Sequence, residues 1–286
     1  MPPRALPARG TRGRIETRGA ATVERWSLDA ADGERVPMLL VVPAAPRAVV
    51  LYGHAHGHHF AAGKDELLDG RPSLASPPYG EALARLGVAA LAIDHRGFGE
   101  RAATSERLLN KRLLWQGSTL WGMRIADTLL AFDWLRADPR FDALPVMTLG
   151  MSMGGTMAWW TAALEPGIAA CADLCSLAEF ADLTATGADD LHAEYYFVPA
   201  LRKHFSAAAI NALIAPRPHL SCVGADDPLT PPAGVASVDR ALRAAYAQAG
   251  APTAWRPRVF PGAHRESPPM RAAVLQFIDE NAQPAR

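Results

Sequence analysis

The 286-residue sequence predicts an α/β fold, a doubly wound and mostly parallel sheet, on three observations. Apolar runs at Ala48–Tyr52, Val88–Ile93, Val146–Leu149, Ile168–Leu174, Leu220–Val223 and Ala254–Phe260 lack the strict polar alternation of a half-exposed sheet, as parallel strands covered on both faces do. Helix-like segments fall between these runs. At Gly150–Gly155 the run Pro145–Leu149 passes through the tight sequence G-M-S-M-G-G into a helix-like stretch, Met153–Leu164.

Taken in order, the first twenty residues hold Arg4, Arg9, Arg12, Arg14 and Arg18, three prolines and a single acid, Glu16. Residues 1–21 are therefore expected to be a disordered basic arm, and residues 22–286 a single domain. Thr22–Leu28 and Arg35–Pro43 are β-prone and flank D-A-A-D-G-E, which predicts an antiparallel hairpin at a sheet edge. Beyond it the crossovers are helices over Tyr79–Leu86, Thr119–Ala137, Met153–Leu164, Pro232–Ala249 and Pro268–Asn281. In the second of these, Trp121, Ile125, Leu129 and Phe132 recur at helical spacing. Residues 176–216 break the rhythm with E-Y-Y-F at Glu194–Phe197, a proline, and a short helix around Ser206–Ile214. They read as a lid-like insertion before the strand that starts at Leu220.

Composition narrows the possible partners. Lys plus Arg and Asp plus Glu both number 29, so the zero formal charge makes no electrostatic case for nucleic acid or an anionic membrane. The basic start is followed by no apolar signal core, and no later apolar run reaches membrane-spanning length, so a cytoplasmic protein is expected. Cys171, Cys175 and Cys222 lie in apolar strand-like runs. Four residues of extended chain would hold the first two roughly 13 Å apart, beyond disulfide reach, so free buried thiols are expected.

The chemistry resides in the turns. G-M-S-M-G-G fits G-x-S-x-G in a strand–turn–helix setting, the nucleophile elbow, which lifts Ser152 out with its hydroxyl exposed; side chains at Gly150, Gly154 or Gly155 would strike the neighbouring strand or helix. A serine hydroxyl needs an adjacent base, which a third group must orient. Two later strand-like runs end in loops that carry such partners: G-A-D-D-P-L-T-P at Gly224–Pro231, with Asp226 or Asp227 as the acid, and P-G-A-H-R-E-S at Pro261–Ser267, with His264 as the base. The order Ser, Asp, His differs from those of the chymotrypsin and subtilisin classes. The residue following the nucleophile, Met153, opens a helix, so its backbone N–H is one candidate oxyanion donor.

From about Val36 to its C-terminus the chain resembles the α/β-hydrolases of the dienelactone hydrolase and acetyl-xylan-esterase-like group. Besides the elbow, the matching pieces are H-A-H-G-H-H-F (His54–Phe60), G-K-D-E-L-L (Gly63–Leu68), P-P-Y-G-E-A-L-A-R-L-G (Pro77–Gly87), D-H-R-G-F-G-E-R (Asp94–Arg101) and A-P-R-P (Ala215–Pro218). The resemblance implies Ser152 as nucleophile, His264 as base and, from G-x-x-D-P-x-x-P, Asp227 as the orienting acid. It places the second oxyanion N–H on His56, although Ala55 departs from the group's H-G-x-G or H-D-H-G pattern. It implies hydrolysis of carboxylic esters of small molecules, including short-chain or sugar acetyl esters, without cofactor or metal; lactones, thioesters and aminoacyl or peptide bonds share the same acyl-enzyme path. Tyr195, Tyr196 and Phe197 are candidate pocket residues, with packing of the insertion as their alternative role.

Two rivals are weaker. His54, His56, His58 and His59 approximate the H-x-H-x-D-H metal motif of metallo-β-lactamase-like hydrolases, but a histidine replaces the aspartate and the motif leaves the elbow unexplained. A non-catalytic binding protein on the same fold would be expected to have lost a member of the triad. Asp94, Arg96, Glu100 and Arg101 read as structural, with Asp94 accepting loop N–H groups. G-M-S-M-G-G lacks the lysine of a phosphate loop and the spacing of a dinucleotide fingerprint.

Overall fold

A computed structural model describes residues 10–283. Among the described residues nine strands form one sheet: β1 (Gly10–Arg18), β2 (Ala21–Asp29), β3 (Arg35–Pro43), β4 (Ala48–Gly53), β5 (Val88–Ile93), β6 (Val146–Met151), β7 (Ile168–Leu174), β8 (His219–Gly224) and β9 (Trp255–Phe260). Their order is β1-β2-β3-β5-β4-β6-β7-β8-β9. The pairings β1–β2, β2–β3 and β3–β5 are antiparallel, and the six strands from β5 to β9 run parallel.

The α-helices of the described residues are α1 (Glu66–Asp69), α2 (Tyr79–Arg85), α3 (Glu106–Trp115), α4 (Leu120–Ala137), α5 (Met153–Leu164), α6 (Phe180–Thr186), α7 (Ala207–Ala212), α8 (Pro232–Gln248) and α9 (Pro268–Asn281). The period-2 geometry of the strands sorts the core onto two faces. Val49 and Leu51 of β4 and Ala89, Leu91 and Ile93 of β5 pack with α4, α5 and α8 through Phe132, Trp159 and Leu242. Their neighbours Val50, Tyr52, Val88, Ala90 and Ala92 face α1, α2 and α9 through Leu67, Leu83 and Phe277. Both faces are covered, which is why the strand sequences do not alternate. Helix starts carry local caps: Thr119 Oγ1 accepts from Gly122 N at 3.0 Å, and Ser206 Oγ from Ala209 N at 3.0 Å.

One expectation is corrected. Residues 10–18, assigned from sequence to a disordered arm, form β1 and take the sheet edge outside the predicted hairpin, with Arg18 opposite Ala21 and Gly10 opposite Leu28. Backbone pairing to β2 holds this segment, and charged side chains suit an exposed edge because they discourage further strand pairing. The first nine residues of the expected arm lie outside the described residues. Helix α3 has no counterpart in the sequence reading.

The insertion at 176–216 contains α6, α7 and short 3₁₀ turns at Ala188–Leu191, Glu194–Tyr196 and Leu201–Lys203. Glu179 ties it together by accepting from the N–H groups of Phe180 and Ala207 at 2.9 and 3.1 Å.

Candidate active site

Parallel strands deliver their following loops to one edge of the sheet, and the loops after β4, β6, β8 and β9 carry the candidate oxyanion residue His56, Ser152, Asp227 and His264. Ser152 sits between β6 and α5 with φ 57° and ψ −123°, a conformation L residues rarely adopt. Its own N–H donates to Leu174 O at 2.8 Å and its carbonyl accepts from Thr156 N at 2.9 Å, so the strained turn is fixed on both sides. Its hydroxyl makes no cap bond to α5.

The glycines make the turn possible. A Cβ on Gly154 would lie 1.9 Å from Gly53 O, and one on Gly150 would lie 2.3 Å from the Gly154 carbonyl carbon. These obstacles are backbone, so the elbow can pack against β4 only if these positions lack side chains.

His264 Nδ1 lies 2.8 Å from Asp227 Oδ2, while Asp227 Oδ1 accepts from Leu229 N at 2.9 Å. An ionised carboxylate accepts only, so the ring donates from Nδ1 and leaves the Nε2 lone pair free. Asp227 is buried, whereas Asp226 is exposed and anchored by its backbone N–H to Gly262 O at 2.9 Å. Neighbouring side chains diverge in this turn, and Asp227 is the one that meets His264.

The loop after β4 is clamped on every side. The carboxylate of Glu66 accepts from Ala55 N at 3.1 Å and from the Tyr52 hydroxyl at 2.7 Å, and pairs with Arg71 Nε at 2.9 Å. Burial raises the Glu66 carboxyl to about 7 against the lowering pull of Arg71, Tyr52 and the Ala55 amide. The Ala55 N–H is thus taken up. Among the described residues, no hydrogen bond takes up the N–H of His56 or Met153.

The His56 side chain is engaged within its own loop and by α3. Its Nδ1 accepts from His58 N at 3.2 Å and its Nε2 donates to Glu106 at 3.1 Å. Glu106, at the start of α3, pairs with Arg124 Nη2 at 2.7 Å; Arg124 is fully buried and also reaches Arg96 O and Met153 Sδ. Burial opposes ionisation of Glu106, yet the contacts from His56 and Arg124 hold its carboxyl below the usual range. These residues lock together the two segments that carry His56 and Met153.

Tyr195 is buried, stacks on His56 with centroids 5.5 Å apart, and shares a hydrophobic cluster with Met153, Met157 and Trp121. Tyr196 packs beside that cluster and stacks on His192 at 4.4 Å. Phe197 is half exposed on the surface. His192, which sequence reasoning missed, contacts Leu229 O of the acid loop at 3.2 Å. Burial lowers its pKa, the Leu229 carbonyl offsets part of this, and nearby His264 lowers it further. No motif marks His192, Glu106 or Arg124; the one available signal was an arginine set within the apolar helix α4.

The four loop histidines do not converge. His54 is buried against His95 and Phe98, with burial pushing its imidazole down to about 3, while His58 and His59 are exposed. Asp94 accepts from Lys64 N at 2.8 Å, Lys64 Nζ at 2.7 Å and Glu100 N at 3.0 Å, as a structural carboxylate does. Arg96 and Arg101 both pair with Asp127. Burial pushes all three cysteine thiols up, which disfavours a thiolate nucleophile.

The chain is 43% identical over 272 residues to the "Putative hydrolase YtaP" of Bacillus subtilis (strain 168), covering 93% of this chain and 90% of that protein. Its fold is similar to that of a glucuronoyl esterase from Solibacter usitatus (TM-score 0.73, 18% identity, 99% of this chain and 88% of that one). It is also similar to that of an acetyl xylan esterase from Paenibacillus sp. R4 (TM-score 0.71, 18% identity, 97% and 89%). No protein-family model matches the chain. These likenesses agree with the α/β-hydrolase resemblance read from the sequence. No helix among the described residues is long and apolar enough to cross a membrane.

Proposed function

Because the chain belongs to one family with the "Putative hydrolase YtaP" of Bacillus subtilis and shares the fold of esterases of the α/β-hydrolase type, we propose that it cleaves carboxylic esters of small molecules through an acyl-enzyme on Ser152. The observation that carries this reading is the 2.8 Å pairing of His264 with Asp227, on loops at the same sheet edge as a strained serine whose hydroxyl caps nothing.

In the mechanism, His264 Nε2 accepts the Ser152 proton as Oγ attacks the ester carbonyl, and the imidazolium is stabilised by Asp227. The N–H groups of Met153 and His56 receive the oxyanion, each worth roughly 2.7–4 kcal/mol of barrier. Collapse expels the alcohol, which takes the proton from Nε2; water then repeats the sequence against the acyl-enzyme and releases the acid. Throughout, Glu66 and Arg71 hold the backbone at Ala55 and His56, while Glu106 and Arg124 hold the His56 side chain.

The insertion forms the wall on the acid-loop side, where His192, Tyr195 and Tyr196 can contact the acyl or alcohol group. Short-chain and sugar acetyl esters suit this reading, supported by the similarity to esterases named for xylan acetyl and glucuronoyl groups. Cytoplasmic action is supported by three free, buried cysteines.

A fluorophosphonate probe followed by mass spectrometry should place its adduct on Ser152, and Ser152→Ala should lose both labelling and p-nitrophenyl acetate hydrolysis. An adduct elsewhere, or an active Ser152→Ala, refutes the assignment. A panel of acyl chains, sugar acetates, lactones, thioesters and aminoacyl substrates identifies the substrate class.

A further inference from the structure

Cys175 leaves the end of β7 in the left-handed region, with φ 51°, and its N–H donates to Cys222 O at 2.8 Å. This conformation brings Sγ, a carboxylate oxygen of Asp227 and a ring nitrogen of His264 within 4.8 Å of one another. Thiolate sulfur, imidazole nitrogen and carboxylate oxygen are the donors that zinc and cadmium prefer. Sγ also lies 4.0 Å from Arg265 O.

We propose that Cys175, Asp227 and His264 form a binding site for a soft divalent cation, zinc or cadmium, which reversibly switches off the hydrolase. This rests on the assignment of His264 as the base for Ser152. A zinc ion bonds sulfur at about 2.3 Å and nitrogen or oxygen at about 2.0–2.2 Å, which requires the Asp227–His264 pair to open by roughly half an ångström. The quarter-exposed side chain of His264 provides the entry path, and water takes the fourth position.

The protons balance simply. The Cys175 thiol releases one proton to solvent. The Nδ1 proton of His264 is displaced by the metal and returns, through solvent, to Nε2. No electrons transfer. The metal-bound ring therefore carries its proton on the nitrogen that should accept the one from Ser152, and base catalysis stops.

A second donor group, Cys171, Asp173 and His219, is sealed in the core. The Asp173 carboxylate there is already filled by Ser176, Ser221 and His219 at 2.8, 3.0 and 2.8 Å. With all three side chains buried, it lacks the entry path that His264 provides at the first site.

The test separates binding from catalysis. In Ser152→Ala, titrated cadmium should produce ultraviolet cadmium–thiolate absorbance that saturates at one ion per chain, and Cys175→Ala in the same background should not produce it. In the otherwise wild-type enzyme, zinc should inhibit p-nitrophenyl acetate hydrolysis and a chelator should restore it. Cys175→Ala should stay active and require at least about tenfold more zinc. Cys175→Ser, close to cysteine in size, replaces the alanine variant if the latter fails to fold. Equal zinc sensitivity with and without Cys175, or cadmium absorbance that persists after its removal, overturns the proposal. Cadmium binding in a protein that hydrolyses no ester would instead overturn the functional reading and leave the metal site standing.

Discussion

Replacing Asp227 with asparagine preserves side-chain shape and changes what the group can offer His264. In the native turn both carboxylate oxygens accept, one from His264 Nδ1 at 2.8 Å and the other from Leu229 N at 2.9 Å. An asparagine has one accepting oxygen. If that oxygen stays on Leu229, the amide NH₂ faces the ring and selects the tautomer protonated at Nε2, which cannot act as base. Loss of the orienting acid by this route is worth on the order of 10⁴ in turnover, or about 5.5 kcal/mol of barrier. Asp226 is exposed and bound through its backbone, so Asp226→Asn should change the barrier by less than about 0.5 kcal/mol. The assay is kcat for p-nitrophenyl acetate on both purified variants, with circular dichroism and denaturant unfolding to verify the fold. If Asp226→Asn proved the more damaging, the position of the acid would be wrong by one residue. If neither mattered, the third member of the triad would lie elsewhere.

Glu66 and Arg124 give two further tests. Burial raises the Glu66 carboxyl from 4.5 to about 7, so between those values the folded protein holds a proton that the unfolded chain has released. Stability relative to Glu66→Gln should therefore fall as pH rises through that window, and a melting-temperature gap unchanged between about pH 5 and 8 would refute the assignment. Arg124→Leu should strand the buried Glu106 carboxylate and cost about 3–5 kcal/mol in denaturant unfolding, with Glu106→Leu added in the same chain restoring part of the loss. A loss below about 1 kcal/mol would mean that the pair is not the lock described.

Much of the architecture was legible because its causes are local or periodic. Continuous apolar runs announced strands covered on both sides, and the close approach of Gly53 and Gly154 is implicit in a glycine-rich strand–turn–helix passage. Strand β1 was not legible. Its sequence, G-T-R-G-R-I-E-T-R, lacks apolar alternation, and its conformation comes from backbone bonds to a neighbour. Helix α3 was missed for a related reason, since its buried start, Glu106, is charged and finds its partners on α4 and the loop after β4.

The sequence by itself determined the doubly wound sheet, the candidate roles of Ser152 and His264 and the loop that carries the acid, because strand period, turn chemistry and residue order are properties of a single chain segment or of simple succession. Only the tertiary structure placed Asp227, which the family pattern had implied, against His264 and left Asp226 exposed, and only it showed that Glu66 takes the Ala55 N–H, that Glu106 and Arg124 brace the segments carrying His56 and Met153, and that Cys175 lies beside Asp227 and His264. Each of those depends on groups far apart in sequence meeting at one sheet edge at hydrogen-bond distance, and no local pattern encodes the direction in which a side chain leaves a loop.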